Sequence, residues 1–150
     1  MLRISKLADY GTVIMAEMAR APSRLVSASE LSSETGLAHP TVSKVLKQLA
    51  LGNLVVSQLG KHGGYVLARP ASAISIAAII DTIDGAFGLT ECANHPGACL
   101  HEPSCRIRQH WRRVDRAVRG ALEGISLAQM IDLRPSVVDF VASSVRRGGA

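Results

Sequence analysis

Residues 26–52 read VSASELSSETGLAHPTVSKVLKQLALG, and this stretch decides the fold. Ser27 and Glu30 stand three apart as a capping box: the serine side chain takes the glutamate's backbone N–H, and the glutamate side chain takes the serine's. Val26 and Leu31 occupy the two positions of a hydrophobic staple around it. Gly36 falls where a helix closes through a left-handed residue. A second helix starts almost at once. Pro40 suits its first turn, where a missing N–H costs no hydrogen bond, and Gly52 ends it. Val42, Val45, Leu46 and Leu49 share one face of that helix, and Thr41, Ser43, Lys44 and Lys47 fall on the other. Two short helices across a tight glycine turn are the outline of a helix-turn-helix.

Working outward, LVVSQLG (54–60) and YVLAR (65–69) are β-rich runs joined by KHGG, which is a hairpin signal. A helix-turn-helix followed by a hairpin is a winged helix. Upstream, residues 3–20 carry Ile4, Leu7, Gly11, Ile14 and Met18 at helical spacing, with Ala8 and Met15 widening the stripe. Downstream, Pro70 closes the unit. Ile76, Ile79, Ile80 and Ile83 then mark a helix capped by Ser75 and stopped by Gly85, followed by a loop over 86–102. The longest helix is expected from about Pro103 to Leu122. Its apolar seam is Ile107, Trp111, Val114, Val118 and Leu122, spaced by fours and threes, which suits pairing with an identical helix in a homodimer. A short helix is expected around 126–131, and Val137, Val138, Phe140 and Val141 fit another in the tail. The expected fold class is mainly α with a small β-wing, a winged helix-turn-helix plus a long dimerisation helix. Residues 1–70 would be the DNA-binding domain, 71–131 the cysteine loop and dimerisation helix, and 132–150 a C-terminal tail.

Composition agrees. Of 150 residues 47% are hydrophobic but only 3% aromatic, so the core must be aliphatic. The formal charge is +5, and it is uneven: residues 1–70 hold eight Lys/Arg against four Asp/Glu, while 71–150 hold nine against eight. A basic first half admits a polyanion as partner. A recognition helix presents its early polar side chains to base edges in the major groove. Thr41, Ser43 and Lys44 are placed to reach bases or phosphates, and His39 and Lys47 the DNA backbone. Arg3 and Lys6 would clamp phosphate, while Gly63 and Gly64 would let the wing tip approach the minor groove beside Lys61 and His62. No stretch is long and apolar enough for a membrane span, and the start lacks an apolar targeting segment, so a cytoplasmic location is expected. No nucleophile elbow or P-loop is present, and HEPSC is not the H-x-E of a zinc deaminase, so an enzyme is not expected.

All three cysteines, Cys92, Cys99 and Cys105, lie in the polar stretch ECANHPGACLHEPSCR (91–106). An odd count argues against a disulfide framework. Thiolates are soft ligands for iron–sulfur clusters, zinc or copper(I). Zinc is weakened by the lack of any C-x2-4-C pair. A thioredoxin-like redox site is excluded by the lack of C-x-x-C. A cluster held by three thiolates needs a fourth ligand, and His95, His101, Glu102 and His110 are the local candidates.

With LADYG in the first helix, PTVSKVLKQL, GGYVLARP and this cysteine loop before a long helix, residues 1 to about 131 resemble the dimeric iron–sulfur winged-helix repressors that include IscR and NsrR. LTEC, the C-x6-C-x5-C spacing and ALEGISLAQM resemble the branch that regulates the SUF iron–sulfur assembly operon. The resemblance implies a homodimer on double-stranded operator DNA, with one cluster per subunit held by Cys92, Cys99 and Cys105. For the fourth ligand, the IscR pattern has a histidine three residues past the third cysteine, where this chain has Arg108. The NsrR pattern has an aspartate in the first helix, before Tyr-Gly, that reaches across to the partner's cluster, and Asp9 occupies that place, with His110 and His101 as alternatives. The six-residue first gap leaves 2Fe–2S and 4Fe–4S both open. Rival readings are a repressor that senses metal or oxidants through zinc or bare thiols, and a carrier or interaction protein for clusters.

Overall fold

The computed structural model describes residues 3–86 and 88–132. The tail from Leu133 onward, with Val137, Val138, Phe140 and Val141, lies outside the described residues.

Helix α1 (Lys6–Arg20) begins on Ser5, whose hydroxyl accepts the Ala8 N–H at 3.1 Å and donates to Asp84 at 2.5 Å. The helix therefore starts three residues later than the apolar stripe predicts, because the serine is extended and held by that aspartate. Helix α2 (Ala28–Thr35) carries the complete capping box, Ser27 with Glu30, and closes at Gly36 with φ 72°. Helix α3 (His39–Leu51) follows, with Val42, Val45, Leu46 and Leu49 all buried. Strands β1 (Val55–Gln58) and β2 (Gly64–Leu67) pair antiparallel, Val55 opposite Leu67 and Gln58 opposite Gly64. Val26 extends this wing by a further bridge to Tyr65. After a 3-10 turn at Ala71–Ala73, α4 (Ile76–Asp84) starts on Ser75, whose hydroxyl accepts the Ala78 N–H, and packs on α1 and α3.

The core is aliphatic, as the composition requires. Ile14, Met15, Leu31, Leu46, Leu49, Leu54, Ile74, Ile79 and Leu127 are fully buried in one cluster. Each such side chain contributes about 1.5–3 kcal/mol over exposure. Leu127 belongs to α7 (Leu127–Ile131), which returns at the end of the described chain to pack on α1. Two backbone bonds fasten that return, Ile76 N–H to Ile125 O at 2.9 Å and Leu127 N–H to Ile74 O at 2.8 Å.

Between α4 and α7 the chain leaves the core. Helix α5 (Glu91–Asn94) is one turn inside the cysteine loop, and Glu102–Ser104 is a 3-10 turn. Helix α6 (Arg108–Glu123) is the longest among the described residues, but it begins five residues after the expected Pro103. The physical reason is at Cys105: its extended backbone, ψ 106°, closes the 3-10 turn and interrupts helical continuity. No residue of α6 is buried. Ile107 is 56% exposed, Trp111 41% and Val114 44%, whereas Val118 and Leu122 are half-buried near α4.

Candidate nucleic-acid interface and cysteine loop

Helix α3 turns its apolar face inward, so its other side chains point away from the core. His39, Lys44 and Lys47 are exposed, and Thr41 and Ser43 half-buried. The acidic residues of the first seventy are mostly spent elsewhere. Arg20 pairs with Glu17 at 3.3 Å, and Arg24 spans Glu30 and Glu34 at 2.9 and 3.2 Å. The Glu30 carboxyl is held below the ordinary carboxylate range by the Ser27 backbone N–H, then by the Ser27 hydroxyl and Arg24. Arg24 is correspondingly raised, first by its bond to Glu30. Among the described residues, Arg3, Lys6, Lys44, Lys47 and Lys61 have no carboxylate at ion-pair distance. The excess positive charge of the first half is therefore left on the α3 surface, the start of α1 and the wing.

The wing loop runs 59–63, with Lys61 and His62 exposed and Leu59 fully so. Gly63 and Gly64 have an internal reason to be glycine. A Cβ on Gly63 would meet the carbonyl of Gln58, and one on Gly64 would stand 2.9 Å from that of Val26. These close approaches build the hairpin itself and seat it on the strand-like residue before α2.

In the cysteine loop, Cys92, Cys99 and Cys105 are all free and half-buried. Cys92 sits in the first turn of α5 with its Sγ 3.2 Å from Thr90 Oγ1. It lines a cavity of about 450 Å³ with Pro96, Arg112, Asp115 and Arg116. Cys99 lines a different cavity, about 510 Å³, with Gly97, Glu102 and Arg108. Polar bonds tie the loop to α6: Leu89 N–H donates to Asp115 at 2.9 Å, and Arg108 pairs with Glu102 at 2.6 Å. Helix α6 is tied in turn to α4, where Arg119 pairs with Asp81 and has its pKa raised by that bond.

The donor set fits a thiolate-held metal group in kind: three free thiols, soft ligands, of which Cys92 shares its cavity with Arg112 and Arg116, whose guanidinium groups favour an anionic site. Among the described residues, no three His, Cys, Asp or Glu side chains already meet as a metal centre. His95, His101 and His110 are exposed in the loop and on α6, and Asp9 is exposed on the first turn of α1. Glu102 was the one local candidate with a built environment, and its carboxylate is engaged by Gly97 N–H and Arg108. Sequence reasoning missed that engagement, and it missed the Asp81–Arg119 and Asp115–Leu89 ties. The only signal for the first is the spacing C-x2-E-x2-C, which sets Glu102 three residues from both Cys99 and Cys105.

The Rrf2 family, described as iron-dependent transcriptional regulators, matches residues 4–133. Solved structures share the fold over most of the chain. CymR (YrzC), the global cysteine regulator of B. subtilis, is 26% identical over 87% of this chain and 97% of its own, with a TM-score of 0.69. The oxidized form of Staphylococcus aureus CymR is 25% identical over 90% and 100%, with a TM-score of 0.65. IscR of T. potens is 25% identical over 87% and 86%, with a TM-score of 0.64. Among the described residues no helix is long and apolar enough to cross a membrane. A helix-turn-helix with its wing, cations left unpaired on the outward helix, and a family match over nearly the whole chain lead to one conclusion: this protein belongs to the Rrf2 family of DNA-binding transcriptional regulators, which are not enzymes.

Proposed function

We propose that this regulator is a homodimeric repressor of SUF iron–sulfur assembly genes, controlled by an iron–sulfur cluster on Cys92, Cys99 and Cys105. The observation that carries the reading is mechanical. The thiol-bearing loop is bonded to α6 at Arg108 and Asp115, and α6 is bonded to α4 at Arg119. Order in the loop is thereby passed along one helix to the DNA-binding core. The family description and the likeness to IscR support it. When bound, the cluster supplies a thiolate-held inorganic core whose presence depends on iron and oxidants. Asp9 of the partner subunit would complete the ligand set, with His110 or His101 as alternatives.

In this reading α3 enters the major groove. Thr41, Ser43 and Lys44 meet base edges or phosphates, and His39 and Lys47 the DNA backbone. Arg3 and Lys6 hold phosphate at the start of α1, and the wing brings Lys61 and His62 to the minor groove over Gly63 and Gly64. The seam Ile107, Trp111, Val114, Val118 and Leu122 pairs with its copy, setting two recognition helices on half-sites roughly 34–36 Å apart.

Anaerobic purification with absorption spectra and iron and sulfide analysis tests the cluster. Comparable iron and sulfide are expected, and Cys99→Ala is expected to lose both and to weaken binding to a selected palindromic duplex at least tenfold, a difference of about 1.4 kcal/mol. Full affinity in Cys99→Ala would end cluster control. A second reading is favoured by the separate cavities of Cys92 and Cys99 and by the likeness to oxidized CymR: the bare thiols sense oxidants. It requires a colourless protein whose DNA affinity still changes on oxidation.

A further inference from the structure

Glu102 is the one buried charged side chain among the described residues, 8% exposed. A buried carboxylate persists only where partners compensate its lost hydration. Its partners come from the two ends of a short stretch. Gly97 donates its N–H at 2.6 Å from one side, and Arg108 pairs at 2.6 Å from the other. Gly97 reaches this position with φ 89°, a conformation that favours glycine. The backbone of the same residue also holds both nearby cysteines: Glu102 N–H donates to Cys99 O at 3.0 Å, and Cys105 N–H donates to Glu102 O at 3.4 Å. Cys92 has no share in this arrangement and sits against Thr90 instead. Arg108 has one further feature. Its Nε is buried without an acceptor among the described residues, and the residue lines the same cavity as Cys99.

We infer that Glu102 and Arg108 form a latch that fixes Cys99 and Cys105 relative to each other, leaving Cys92 as the independently placed third thiol. Both are positioning residues. The inference deepens the proposed cluster reading and rests on that loop being its holder, but the latch itself is built only from groups of the chain.

The test begins on metal-free, reduced, full-length protein. Alkylation rates of each cysteine are read by mass spectrometry in the wild type, E102Q, R108A and the conservative R108K. Opening the latch exposes its thiols more often, so Cys99 and Cys105 are expected to react about tenfold faster in E102Q and R108A. Cys92 is expected to keep its rate, and R108K to stay near the wild type. In reconstituted protein, E102Q and R108A are expected to lose their visible absorption several-fold faster in air, and R108K is not. Unchanged rates at Cys99 and Cys105 would overturn the latch. An equal rise at all three cysteines would also overturn it, since that is general loosening. A selective rise in a chain that never takes up iron and sulfide would uphold the latch and remove the cluster reading. If one variant does not fold, the other reports the same pair.

Discussion

Two regions of this chain are held together by different forces. The head comprises α1 to α4, the hairpin and α7; the arm comprises the cysteine loop and α6. In the head, Ser5, Ser27, Ser75 and Ser126 each cap a helix through a side-chain hydroxyl, α3 alone lacking such a cap, and every buried hydrophobic residue but Ala77 belongs to one cluster. In the arm, α5 and α6 have no side-chain cap, and no apolar side chain among the described residues is buried. The arm's hydrogen bonds and ion pairs are Asp115 to Leu89, Glu102 to Gly97 and Arg108, and Arg119 to Asp81, and its apolar contact with the core is through the half-buried Leu122 near the end of α6. Burial makes the head self-sufficient. The arm takes its shape from a few polar contacts and the half-buried end of α6, so a partner helix or a ligand of the thiols can reset its thiol-bearing end at modest cost. The proposed control by a thiol-held cluster requires that division.

The comparison can be broken most directly in the core. Leu46→Ala, which empties a fully buried site, is expected to cost about 2–5 kcal/mol in urea unfolding. A cost no greater than that of an exposed arm substitution would show that the head is not the stable part. Val114→Asp, at a 44% exposed position of the seam, sharpens the contrast from the other side. It should leave far-UV circular dichroism of the head unchanged while weakening self-association by roughly 100-fold or more in sedimentation, because an unpaired charge would be buried between helices. A variant that remains dimeric would remove the seam from the interface. The smallest effect expected is at Glu30→Gln. The Glu30 carboxyl is held low by Ser27 and Arg24, so the folded chain keeps that charge to lower pH than the unfolded chain. Its stabilising contribution is full above the ordinary carboxylate value near 4.3 and is lost as pH falls through the lowered folded value. Glutamine keeps the cap but has no such titration. The variant should therefore show a shallower loss of melting temperature on acidification, and parallel curves would refute the role.

What was legible in the sequence follows the same division. Ser27, Glu30, Gly36, Pro40 and Gly52 act within four residues of the helix ends they set, so local chemistry sufficed to place α2 and α3. The core face of α3 followed from spacing alone. The start of α6 did not, because PSCR carries no apolar period and the break at Cys105 is a matter of backbone angle. Arg119 and Asp81 are 38 residues apart, and Leu89 and Asp115 are 26 apart, so no local pattern announces them. The second half looked electrically balanced by count, yet it is not balanced in space. Arg108 and Arg119 are paired, whereas Arg106, Arg112 and Arg113 have no carboxylate at ion-pair distance among the described residues.

Helix α6 is anchored at one end only in the strong sense. Past Glu123 the chain re-enters the core through Ile125 and Leu127, while the other end is fastened by the Glu102–Arg108 pair and the loop. Sixteen residues make it a rod of about 24 Å. Pivoted at the core, a tilt of about 5° carries its tip roughly 2 Å, further than a hydrogen bond tolerates. The ratio also runs the other way. A swing of a few ångströms at the thiols arrives at α4 as a fraction of an ångström, geared down and correspondingly forceful, at the helix on which α3 rests.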